Sequence, residues 1–167
     1  MGDLGWREIK YVRDLTEWLY RGFPMPHKPP RFHSGKRTYH WKRHGVHEIV
    51  YGMEALARCY EHGYREYSTI RYAWGGRTGS GPRGLWNVVL HEFAHGLQAT
   101  RTYGSVHNAS FVRALQRLIL NCPFEETGYP QPGAEPRQVP MATMPQAASR
   151  PIAAANEQTR AKGERFT

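Results

Sequence analysis

Apolar residues recur at helical spacing from about Leu4 to Tyr20, where Ile9, Val12, Leu15, Trp18 and Leu19 are separated by charges. An amphipathic helix is expected there, ending at Gly22. Pro24, Pro26, Pro29 and Pro30 deny the next segment both helix and central strand, so a loop should follow. A second stripe, Ile49, Met53, Leu56, Ala57 and Tyr60, predicts a helix over Glu48 to His62, stopped by Gly63. Tyr67 to Ala73 reads as a short strand, since Tyr67, Thr69, Ile70 and Tyr72 suit a pleated backbone. The run from Trp74 to Gly84 is a glycine-rich connection that lacks the Gly-Lys-Ser/Thr ending of a phosphate-binding loop. A third helix is expected from about Leu85 to Thr100, opened by Pro82 or Gly84. A fourth follows from Val112, Leu115, Leu118 and Ile119, with Asn108 as its N-cap.

From Thr127 onward the composition shifts to Pro, Gln, Ala and Thr, without large apolar residues at regular spacing. The chain therefore divides into one domain over residues 1–126 and a disordered tail over 127–167. The fold class expected is α+β, a mainly helical core with a short β-sheet. At 167 residues the chain is long enough to bury a core of its own.

Charge adds a partner to this picture. Lys and Arg number 23 against 14 Asp and Glu, a formal net charge of +9, which favours acidic partners. Much of the excess sits between Pro24 and His47, where no acidic residue occurs. There Lys28, Arg31, Lys36, Arg37, Lys42 and Arg43 alternate with Phe32, Tyr39, Trp41 and five histidines. Cations of this kind neutralise phosphates and flat rings stack on unpaired bases, so DNA is a candidate partner of segment 24–47. The same composition also suits a solvated basic loop whose aromatics pack on the core. Cys59 and Cys122 lie far apart and outside any C-x-x-C spacing, which points to thiols in a reducing compartment and excludes a structural zinc on cysteines. With charges at Asp3, Arg7, Glu8 and Lys10 and no apolar run of membrane-spanning length, a monomeric intracellular protein without a membrane partner is expected. Trp6 stands where a myristoylation signal needs Ser or Thr.

The chemistry concentrates in Val88-Val89-Leu90-His91-Glu92-Phe93-Ala94-His95-Gly96-Leu97. On a helix, positions i and i+4 share a face, so His91 and His95 can aim at one ion. Glu92 sits at the edge of that face, where a carboxylate reaches a water without becoming a ligand. Zinc-dependent hydrolysis is the chemistry implied. An amphipathic core helix with two satisfied histidines is the bland alternative. A catalytic zinc needs a third protein ligand and an open position. His107 is the leading candidate, because it follows a turn after the metal helix and heads the next one; Glu125 or Glu126 remain alternatives. His44 and His47 also have a spacing that suits a metal, but Gly45 lies between them and no third partner is near in sequence.

His91-Glu92-Phe93-Ala94-His95 together with His107-Asn108-Ala109-Ser110-Phe111 resembles the SprT-like metallopeptidase family, which includes the Spartan proteases. The resemblance covers roughly Tyr67 to Leu120. Asn108 stands where that family commonly has glycine, and the tail has no cysteine pairs for a zinc ribbon. The resemblance implies Zn2+ held by three histidines, peptide-bond hydrolysis and, in the Spartan branch, action on proteins crosslinked to DNA. On this reading His91, His95 and His107 are the metal ligands, Glu92 is the general base, and the Tyr67 to Ala73 strand offers an edge to an extended peptide. Arg101 and Tyr103 are the nearest candidates for stabilising an oxyanion. The rival classes are a nucleic-acid-binding protein with a structural or degenerate zinc site, and a zinc amidase or folding-accessory domain.

Overall fold

In the computed structural model, which describes residues 4–64, 79–98, 107–122 and 124, the first amphipathic stretch is helix α1 (Trp6–Gly22). Its Val12, Leu15 and Leu19 are buried, and the Phe23 N–H closes it on the Leu19 carbonyl at 2.8 Å. Thr16 Oγ1 donates to the Val12 carbonyl at 2.7 Å and also meets the Tyr51 hydroxyl at 2.8 Å. That second contact ties α1 to the sheet.

The basic segment is not a loop throughout. It carries β1 (Arg31–His33) and β2 (Tyr39–Arg43), and both pair with β3 (Val46–Gly52), giving the order β1-β3-β2. β1 runs parallel to β3, while β2 is antiparallel, with Trp41 opposite Glu48 and His40 opposite Ile49. The hairpin closes through His44 (φ 49°) and Gly45 (φ 79°). Two successive positive φ angles are what a two-residue turn matched to strand twist requires. The prolines are tolerated because they precede β1, where the chain bonds β3 through the Pro26 carbonyl and the Lys28 N–H.

A second expectation changes with it. The helix expected from Glu48 begins at Met53, as α2 (Met53–His62), and Ile49 belongs to β3. From His47 to Gly52 every residue of β3 is buried, so the strand shows none of the alternation that would have distinguished it from a helix. Gly63 (φ 76°) ends α2 as expected, its N–H bonding the Cys59 carbonyl at 2.9 Å.

Helix α3 (Pro82–Leu97) starts at Pro82, three residues before the expected Leu85, and α4 (Ala109–Asn121) follows. Buried from Gly84 to Ala94, α3 is the centre of the molecule, packed against α1, α2, α4 and the sheet. A Cβ on Gly84 would lie 2.1 Å from the Cys59 carbonyl oxygen, so α2 and α3 approach at backbone contact through this glycine. Neither Cys59 nor Cys122 is in a disulfide, and burial pushes the Cys122 thiol up to about 12, where it is unreactive.

Four helices and a three-stranded sheet among the described residues make the fold α+β. None of these helices is long and apolar enough to cross a membrane. Helix α3 ends at Leu97, three residues short of the expected Thr100, where Gln98 turns to an extended backbone. The strand expected at Tyr67–Ala73, Arg101, Tyr103, Glu125, Glu126 and the tail from 127 lie outside the described residues.

Candidate metal centre

Two segments bring the three histidines together. His91 and His95 sit one turn apart on α3, and His107 stands just before the N-cap of α4. The Nε2 atom of His91 lies 3.2 Å from that of His95 and 3.2 Å from that of His107. The three donor atoms form a group that could hold a metal ion, the one such group among the described residues. His91 is buried, while His95 and His107 are half-buried, which leaves an approach from outside.

Such crowding suits a shared cation. A neutral imidazole has one N–H, so the single Nε2 of His91 cannot donate to both neighbours, whereas one cation would accept the lone pairs of all three rings. Burial, with His95 and His107 alongside, holds His91 well below its ordinary value near 6.5, and burial lowers His107 as well. Both are therefore neutral at pH 7, the form that ligates metals.

The rings are fixed from several sides. Phe111, fully buried on α4, packs against all three, with centroid distances of 5.0 Å to His91, 4.5 Å to His95 and 4.7 Å to His107. Tyr64, just after Gly63, adds a fourth ring 5.4 Å from His91. No motif marks Tyr64 in the sequence. Asn108 does two jobs: its Oδ1 accepts from the Ser110 and Phe111 N–H groups, capping α4, and from Gln98 Nε2 at 3.0 Å. Gln98 Oε1 in turn stands 3.5 Å from His95 Nδ1. The cap thus couples the end of α3 to the start of α4, between two of the histidines on one helix and the third beside the other. Asn108→Ala is expected to cost about 1 kcal/mol of stability from the lost cap, and to weaken metal binding as His107 loses its anchor. Denaturation of the metal-free protein and a metal titration read the two effects separately.

Glu92 is buried at 7% exposure and lies outside the three-histidine group; burial raises the Tyr51 phenol, and the nearby Glu92 charge adds to that rise. Neighbouring His40 and His47 behave differently from the sequence expectation. His47 pairs with His40, its Nδ1 lying 2.9 Å from His40 Nε2, rather than with His44, which stands exposed in the hairpin turn. The pair backs the end of α3: a Cβ on Gly96 would lie 3.3 Å from His40 Nε2 and 3.4 Å from His47 Nδ1.

Compared with known proteins, the chain matches no family model, no curated protein and no solved structure.

Proposed function

We propose that this chain is a zinc-dependent metallopeptidase of SprT-like type, in which His91, His95 and His107 hold the ion and Glu92 is the general base. The observation that carries the reading is the convergence of the His95 and His107 Nε2 atoms on that of His91, each at 3.2 Å, beside a buried glutamate. Tetrahedral coordination with zinc–nitrogen bonds of 2.0–2.1 Å places neighbouring donors about 3.3 Å apart, so both of these pairs are already near the required separation. Three histidines with no fourth His, Cys, Asp or Glu in the group among the described residues suit a catalytic site with an open position better than a closed structural one.

When bound, zinc would polarise a carbonyl and make a water acidic near pH 7. Glu92, one residue from His91 and outside the ligand set, accepts the water's proton and delivers it to the leaving amine. Its burial keeps bulk water from competing for that proton. Among the described residues β2 is an edge strand, and it lies beside α3 through His40 and Gly96. An extended substrate would pair along this edge.

The test is metal analysis joined to hydrolysis of an unstructured protein such as casein. One zinc per chain, with cleavage that stops on chelation and returns with zinc, is expected. A chain that binds one zinc and cleaves no peptide would end the peptidase reading.

A further inference from the structure

The sheet has a second face, and it carries a different chemistry. His40, His47, Ile49 and Tyr51 point towards α1 and α3. Trp41 and Glu48, opposite each other in register, lie on the other side, with Arg31 beside them. On that outer face a cavity of about 500 Å³ is lined by Lys28, Arg31, Trp41, Arg43, His44 and Glu48. Its size is that of a small-ligand site.

Glu48 organises it. Its carboxylate accepts the Trp41 indole N–H at 2.9 Å and pairs with Arg31 Nε at 2.7 Å, while only 9% exposed. One buried acid therefore fixes both an aromatic ring and a guanidinium. With its N–H already bonded and the residue 46% exposed, Trp41 presents an aromatic surface rather than a donor. Lys28 and Arg43 line the same cavity, so three cations face one carboxylate and the site is electropositive. Tyr39, two residues along β2 and 40% exposed, meets Trp41 edge-on at 6.2 Å, and His33 lies 6.3 Å beyond Tyr39. The rings form a row leading away from the cavity.

We propose that this cavity is a nucleotide-binding site, in which a base stacks on Trp41 and a phosphate is held by Lys28, Arg31 and Arg43. An acidic side chain would use the cations and leave the fixed indole idle. An apolar ligand would leave the cations uncompensated. A phosphate joined to a flat ring uses both. The row of Trp41, Tyr39 and His33 extends the same recognition to neighbouring bases of an unpaired strand. The site lies on the face of the sheet opposite α3, so it is independent of the metal-centre reading.

Intrinsic fluorescence of the full chain, titrated with a thymidine oligonucleotide of about twelve residues, with a thymidine mononucleotide and with inorganic phosphate, tests the proposal. Quenching by the oligonucleotide is expected, weakening steeply with salt, and falling at least tenfold in affinity in Trp41→Leu and in Arg43→Gln. Equal binding of the mononucleotide would place free nucleotides as the ligand, whereas binding by the oligonucleotide alone would assign the site to a strand; either supports a nucleotide site. No binding by either, or binding that Trp41→Leu leaves unchanged and inorganic phosphate matches, overturns it. Metal content and circular dichroism of both variants, expected to match wild type, show that the fold is intact.

Discussion

Glu92→Gln is expected to lower the rate of peptide hydrolysis by about 10²–10⁴-fold, the range attributed to a positioned general base, while one metal ion per chain is retained. Glutamine preserves the shape of the side chain in a position only 7% exposed, so packing around α3 is undisturbed. What it removes is the capacity to accept a proton. The three-histidine group contains no atom of Glu92, which is why metal content should not follow activity. Burial, with the Glu92 charge adding to it, keeps the Tyr51 phenol neutral, so no charge repulsion is relieved there and the melting temperature should stay close to that of wild type. Measured together, kcat, metal stoichiometry and thermal stability separate the chemical role from a structural one. Activity equal to wild type would remove Glu92 from the mechanism, and parallel loss of metal and activity would make it a support of the site instead.

How much of this was legible beforehand differs between the helices and the sheet, for a physical reason. Helix α1 and helix α4 each have one buried and one exposed face, so their apolar residues repeat with the helical period and their positions could be read directly. The stop at Gly63 and the cap at Asn108 were legible because each depends on one residue's local chemistry. The grouping of the three histidines could be read for the same reason: two are placed by helical spacing and the third by the turn that the cap fixes. The hairpin was not legible. β3 is buried through its length, and β2 is rich in basic residues despite pairing throughout, so neither has a clean period of two. The usable signal was the His44-Gly45 pair between Tyr39-His40-Trp41 and Val46-His47, two stretches with strand-favouring side chains. The His40–His47 pairing and the outer-face cavity depend on that hairpin's register, so neither could be found before the strands were placed.

His107→Ala should separate metal binding from folding more cleanly than any change on α3. His107 precedes the N-cap and is half-buried, whereas His91 lies within the core. Truncation therefore removes one of three donors without opening a cavity in the central helix. Loss of a direct ligand should weaken the metal by more than the ~10–100-fold typical of an outer-shell partner. At a free metal concentration 1,000 times the wild-type Kd, binding stabilises the fold by about 4 kcal/mol; a 100-fold weaker site retains about 1.4 kcal/mol. The metal-dependent rise in Tm should shrink accordingly, while the metal-free proteins melt close together at pH 7.5. Acid adds a second readout. Because the folded state holds His91 and His107 below their ordinary value, the unfolded chain binds protons that the folded chain resists. The metal-free protein should thus be pH-independent in this respect above about 6.5 and lose stability as pH falls below it, towards the lowered folded values. In His107→Ala one of these groups is gone and its neighbours feel less repulsion, so the slope below pH 6.5 should be shallower. An unchanged metal-dependent shift in Tm would exclude His107 from the ligand set, and an unchanged acid slope would mean that its burial does not persist in solution.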